Sequence, residues 1–252
     1  MKPFLVLQLR PEDDASDGEF RAILEKGGLD VGRAHRIRLE RDPMPGDLLL
    51  DDYAAIIVGG GPGCVSDPQE KKSPGEARAE AAIIGLMPEI TATDKPFMGC
   101  CYGIGILAHH LGGEVSKARY SEPVGPVTCQ VTKYGQADPL LAGLPEVFDT
   151  FVGHKEAVQV LPPGAVHLMA SEPCPFQMLR YGKNVYATQF HPEADAGVFA
   201  ERIKIYRGHG YFAPEEADAL TKACYAANVL FPKEILRRFV ARFGESEESL
   251  NA

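Results

Sequence analysis

Three apolar runs of strand length, PFLVLQL (3–9), AAIIV (54–58) and PFM (96–98), are each followed by a segment with helical spacing, and this alternation constrains the fold more than any other feature. A strand, a helix and a second strand running the same way require a crossover over one face of a sheet. Repeated units of this kind imply a mainly parallel sheet with helices on both faces. In SDGEFRAILEKGG, Phe20, Ile23 and Leu24 share a face, Ser16 is a candidate N-cap, and Gly27-Gly28 is a stop. Ser73-Pro74-Gly75-Glu76 combines an N-cap, a proline at the first helical position and a glutamate three residues after the cap, which predicts a helix through ARAEAAIIGLM. A third helix, GIGILAHHL, should close at Gly112-Gly113.

Between about Glu122 and Phe190 the pattern changes to β-like runs, VGPVTCQVT, TFVGH, AVHLMAS and FQMLRYGKNVYATQF, separated by turns such as LPPG and YGKN. They predict a mixed or antiparallel extension of the same sheet. Beyond His191, Pro214 opens PEEADALTKACYAANVL and Pro232 opens PKEILRRFVARF, where Ile235, Leu236, Phe239, Val240 and Phe243 form an apolar stripe. The expected division is an α/β domain over 1–200, a helical extension of the same unit over 201–243, and a disordered acidic tail over 244–252.

Composition narrows the function. A chain of 252 residues that is 45% hydrophobic can fill a sizeable core. The net charge of -9 and the lack of any Lys/Arg run give no field for phosphate backbones, so nucleic acid is not an expected partner. No apolar run approaches the roughly 20 residues needed to span a bilayer, and MKPFLVLQLRPEDD turns acidic too soon for a leader. The expectation is a cytoplasmic protein without a membrane partner. Six cysteines with no C-x-x-C pair predict reduced thiols and no structural metal.

Chemistry concentrates at three places. In MGCCYGIG (98–105) only Cys101 has glycines two residues before and two after, Gly99 and Gly103. That is the spacing of a strand-to-helix elbow, in which glycines let neighbouring backbone approach and the central residue is a nucleophile. A thiol at a helix N-terminus is favoured as thiolate, and the N–H of Tyr102 points to where an oxyanion would form. In VYATQFHPE a strand ends at His191, extended by the proline after it, and Glu193 can reach the ring nitrogen away from the thiol. Cys101, His191 and Glu193 thus fill the roles of nucleophile, base and orienter. The loop Gly59-Gly60-Gly61-Pro62-Gly63 lacks the signatures of a nucleotide cradle, so no cofactor is expected; its backbone N–H groups can complete an oxyanion hole.

GGGPG, MGCCYGIG and QFHPE, in this order and spacing, resemble the motifs of class I glutamine amidotransferases, especially the glutaminase domain of GMP synthetase, over roughly residues 1–200. The resemblance implies a flavodoxin-like, mostly parallel α/β sheet that hydrolyses a γ-carboxamide through a γ-glutamyl thioester and releases ammonia. It assigns Cys101 as nucleophile, His191 as base and then acid, Glu193 as orienter, and the N–H groups of Gly61 and Tyr102 as oxyanion hole. It also implies that Gly63, Gly153 and His154 bind substrate, the latter two through FVGHKEAV (151–158). A satisfied structural histidine is an equal reading for His154.

One position departs from the family. Where its members carry glutamine four residues after the nucleophile, this chain has Gly105, so the glutamyl end must be held by other groups or the substrate is not free glutamine. About 60 residues follow His191, too few for an ATP-dependent synthetase; ammonia transfer would require a separate ammonia-accepting synthetase subunit. Three readings follow: a glutaminase or amidotransferase acting on glutamine, a free-standing hydrolase of another γ-glutamyl amide, and a non-catalytic binding member with its C-terminal helices as docking surface. His109, His110 and the RGHGYF turn around His209 take structural readings, and Cys64 is placed to border the pocket.

Overall fold

The structure, a computed structural model, describes residues 1–244. Its elements run β1 (Phe4–Gln8), α1 (Asp13–Gly27), β2 (Ala34–Arg38), β3 (Ala55–Val58), α2 (Pro74–Thr93), β4 (Phe97–Cys100) and α3 (Tyr102–His110). Then follow β5 (Val115–Ser116), β6 (Glu122–Val131), α4 (Lys133–Gln136), β7 (Val147–His154), β8 (Ala157–Val158), β9 (Ala165–Ser171), β10 (Met178–Tyr181) and β11 (Val185–Thr188). Three helices close the described chain: α5 (Ala196–Ile205), α6 (Ala217–Ala226) and α7 (Pro232–Gly244).

Nine strands form one sheet in the order β2-β1-β3-β4-β11-β10-β9-β6-β7, and β5 pairs with β8 as a separate ribbon. From β2 to β11 the pairing is parallel; from β11 onward it is antiparallel. The expected α/β architecture with a mixed extension is therefore what forms. Every residue of β1 is buried, and alternate residues go to opposite faces. Phe4 and Val6 join a core with Ile23 of α1 and Phe239 of α7, while Leu5 and Leu7 join one with Ile83 of α2 and Leu107 of α3. A third cluster seats α5 and α6 on Phe151 of β7, whose ring stacks on Phe199 at 4.8 Å.

Capping follows the sequence in part. Ser73 caps α2, accepting from Glu76 N, and Gly28 ends α1 in the left-handed conformation at φ 66°. Ser16, expected as a cap, lies inside α1, which starts after Glu12 with no side-chain cap. Its Oγ is taken up holding Gln8 Oε1 at 3.1 Å, a tertiary bond that the sequence pattern does not register.

Edge strand β2 was not expected; only Ile37 of AHRIR is buried, so the segment carries no apolar run. Pro214 opens a single 3-10 turn before α6, and the helix stops at Ala226, with Ala227 extended, short of the expected PEEADALTKACYAANVL span. The expected boundary at residue 200 falls inside α5, and Gly244 ends α7 rather than opening a tail. The rest of the expected acidic tail, 245–252, lies outside the described residues.

α7 matches its predicted stripe: Ile235, Leu236 and Phe239 are fully enclosed, with the Phe239 ring edge-on to Tyr186 of β11 at 6.4 Å. Phe239→Ala should therefore cost about 3–5 kcal/mol, measured by urea unfolding. A change under about 1 kcal/mol would mean that α7 adds little to the fold.

Candidate active site

The elbow is built by close packing. A Cβ on Gly99 would lie 3.0 Å from Gly103 Cα, so the last turn of β4 and the first of α3 meet through two bare backbones. Between them Cys101 sits at φ 54° and ψ -88°, a conformation that non-glycine residues reach only under constraint. Its N–H donates to Thr188 O of β11 at 2.7 Å, which ties the elbow to the neighbouring strand. Cys101 is the only one of the six cysteines that is not fully buried, and Cys100 points into the core beside Met98.

Three residues beyond β11 the chain turns at His191, whose N–H donates to Phe151 O of β7 at 3.0 Å and whose ring stands edge-on against Phe199. His191 Nδ1–H donates to Glu193 Oε1 at 2.9 Å, leaving Nε2 for the cleft. The bare backbone of Gly60 admits this ring. A Cβ there would come within 2.7 Å of His191 Cε1, 2.7 Å of an Arg10 terminal nitrogen and 3.6 Å of Cys101 Cβ. The three sequence-selected residues thus converge, and Arg10 joins them.

Gly61 follows in the same loop, with a Cβ position 3.2 Å from the Tyr102 ring, so the two expected N–H donors lie on adjoining walls. As the first residue of α3, Tyr102 has an N–H with no intrahelical acceptor. Its hydroxyl donates to Glu80 Oε2 at 2.6 Å, and Lys72 pairs with the same carboxylate.

Electrostatics set the resting protonation. Enclosure by protein pushes the Cys101 thiol up to about 12, outweighing Arg10 and Arg202, which act the other way. The expected helix-terminal thiolate is therefore overruled by desolvation. Burial, helped by Arg202 and Arg10, holds His191 below its ordinary value against the pull of Glu193, so the ring is neutral near pH 7. Burial opposes ionisation of Glu193, but His191 and the Arg202 guanidinium, 2.8 Å away, outweigh it and keep the carboxyl well below the usual range.

These groups rest on a buried network that the sequence did not disclose. Glu19 of α1, fully enclosed, accepts from Gln8 Nε2 at 3.0 Å, Arg10 Nε at 2.7 Å and Gly60 N at 3.1 Å, with Arg202 of α5 at 3.7 Å. Arg10 also donates to Tyr206. The only sequence signal was the choice of charged residues, Arg10 and Glu19, beside an apolar strand and on an apolar helix face.

The other wall of the cleft explains Gly105. A Cβ at that position would sit 3.0 Å from Glu156 Oε1 and 3.3 Å from Val65, so Glu156 fills the space a longer side chain would need. Glu156 accepts from Val65 N, Ser66 N and Ser66 Oγ at 2.7, 2.9 and 2.7 Å. Gly63, Gly153, His154 and Cys64 also line this side. The His154 ring is occupied, however: Nδ1 faces Glu156 O at 2.8 Å and Nε2 faces Glu122 at 2.7 Å, so neither ring nitrogen is left to meet a ligand. Glu122, His154 and Cys174 bring their polar atoms within 4.8 Å of one another. Ser171 and Gln177 already donate to Glu122, making this a hydrogen-bonded node of the sheet. The RGHGYF segment is a loop as expected, yet it reaches the cleft: Tyr211 borders it, with Lys155 Nζ 4.1 Å above its ring. Among the described residues no helix is long and apolar enough to cross a membrane.

The family described as Glutamine amidotransferase class-I matches residues 29–205. The chain is similar to the GMP synthase [glutamine-hydrolyzing] of Thermosipho melanesiensis, 34% identical over 151 residues, which are 59% of this chain and 26% of that protein. It therefore spans about a quarter of the length of that curated relative. Its fold is similar to a glutamine amidotransferase from Thermotoga maritima, with TM-score 0.70 and 22% identity over 98% of this chain and 100% of the other. A glutamine amido transferase from Methylobacillus flagellatus superposes with TM-score 0.71 and 21% identity, covering 98% and 97%.

A resting thiol beside a neutral imidazole sets a reactivity pattern. Iodoacetamide should modify Cys101 well before the five buried cysteines, at a rate that keeps rising from about pH 7 to pH 10, read by peptide mass spectrometry. A plateau below pH 7 would instead mark a preformed thiolate–imidazolium pair.

Proposed function

The chain belongs to the class I glutamine amidotransferase family, and from that premise we propose that it is a cysteine-dependent amide hydrolase that cleaves a γ-glutamyl carboxamide through a thioester on Cys101. The observation that carries this reading is the convergence of Cys101 and the Glu193-oriented His191 on the bare backbone of Gly60.

Cys101 Sγ attacks the carbonyl carbon as His191 Nε2 takes its proton, so thiolate forms only when substrate is in place, which suits a thiol held near 12. The N–H groups of Gly61 and Tyr102 receive the oxyanion. His191 passes the proton to the amide nitrogen, ammonia leaves, and a thioester remains. Water then attacks the thioester as it gives a proton to His191, the C–S bond breaks, glutamate leaves, and His191 returns the proton to Cys101 Sγ. Glu193 stays ionised, fixing the tautomer that keeps Nε2 unprotonated at rest.

The glutamyl end fits the opposite wall. Its α-ammonium faces Glu156, whose carboxylate takes over the space and task of the glutamine replaced by Gly105, and its α-carboxylate lies toward Lys155 and the backbone of Gly153. If the ammonia is used, a separate synthetase subunit accepts it; otherwise the protein acts alone.

Purified protein should release ammonia from glutamine, with Cys101→Ala lowering the rate by about 1,000-fold or more. Cys100→Ala should stay within about threefold, because that thiol is in the core. Undiminished release by the Cys101 variant would remove the assignment.

A further inference from the structure

Two cavities meet at Cys101, and their walls differ in chemistry. One is the Glu156 side already described. The other opens on the His191 side. Gly61, Cys101, Gly153 and Tyr211 border both, while His191 borders only the second.

We propose that the second cavity receives the leaving amine of an N-substituted γ-glutamyl amide, and that this amine is an amino acid with an apolar or aromatic side chain. The proposal rests on the thioester reading above. Direction comes first: His191 hands its proton to the departing nitrogen, so whatever that nitrogen carries extends to the side that His191 lines. Shape follows, since Val124, Phe199, Ile203 and Phe212 supply apolar wall.

Charge selects the amino acid. Among the described residues the formally charged side chains lining the cavity are Arg10 and Arg202, 4% and 6% exposed. Arg10 donates through Nε to Glu19 and through one terminal nitrogen to the Tyr206 hydroxyl, which leaves its other terminal nitrogen for an acceptor. A carboxylate one carbon from the leaving nitrogen lands beside Arg10, whose terminal nitrogen shares the Gly60 corner with the His191 ring. The balance is simple: the S–C bond forms, the C–N bond breaks, the thiol proton reaches the nitrogen through His191, and water converts the thioester to glutamate. A γ-glutamyl dipeptide and one water give glutamate and a free amino acid.

The test compares glutamine, γ-glutamylphenylalanine and γ-glutamyl-2-phenylethylamide, which keeps the ring but lacks the carboxylate. The dipeptide should exceed each of the others in kcat/KM by about tenfold or more. Arg10→Met should bring the dipeptide and the phenylethylamide within about threefold of each other, whereas a merely structural Arg10 would lower all substrates alike. Val124→Phe, which fills only this cavity, should cut the dipeptide-to-glutamine ratio about tenfold; it tests the cavity even if the arginine variant fails to fold. Equal turnover of the dipeptide and the phenylethylamide, or preference for glutamine, overturns the proposal while Cys101 is still alkylated by a γ-glutamyl chloromethyl ketone. If that ketone does not label Cys101, or Cys101→Ala still cleaves the dipeptide, the thioester reading itself has failed.

Discussion

The carboxylate of Glu19 is the point through which the site is held together. It is fully enclosed, and in that setting its charge is tolerable only because Arg10, Gln8, Gly60 N and, farther off, Arg202 surround it. Those partners come from the end of β1, the glycine loop and α5. Through Arg202 the network reaches Glu193, and through Glu193 it orients His191. Removing a charged member of such a network leaves an unpaired buried charge, so His191, the glycine loop and Arg10 are set as a unit rather than singly.

This arrangement also governs what resides at position 59. A Cβ there would lie 2.7 Å from Glu19 Cδ, so the first glycine of the loop makes way for the carboxylate, the second for His191 and Arg10, and the third for Leu9 and Tyr102. What reads in the sequence as one glycine-rich motif is thus three separate steric allowances, each facing a different neighbour.

How much could be read in advance follows from how local each signal is. The strand alternation, the elbow glycines, the α2 cap and the α7 stripe depend on residues within a few positions of each other, and they formed as expected. The convergence of Cys101, His191 and Glu193 was legible because each member sits in a motif tied to a strand end. Glu19, Arg10, Arg202 and Glu156 were not legible, because each has meaning only through a partner remote in sequence: Glu156 lies 51 residues from Gly105, whose missing side chain it replaces in space. Local patterns likewise misplaced the Ser16 cap, missed β2, which has one buried residue, and undervalued Tyr211, which borders the cleft.

The strand order carries a consequence for the nascent chain. β4, which ends one residue before Cys101, pairs on one side with β3 and on the other with β11, and β11 begins 85 residues after Cys100, beyond the entire antiparallel arm. During translation at roughly 5–20 residues per second, the open edge of β4 therefore waits on the order of ten seconds for its permanent neighbour. That edge is apolar, flat and parallel, the kind that recruits stray strands. Correct assembly of the elbow at Cys101 is thus a race between completion of the arm and capture by another chain, decided by topology before any ligand is met.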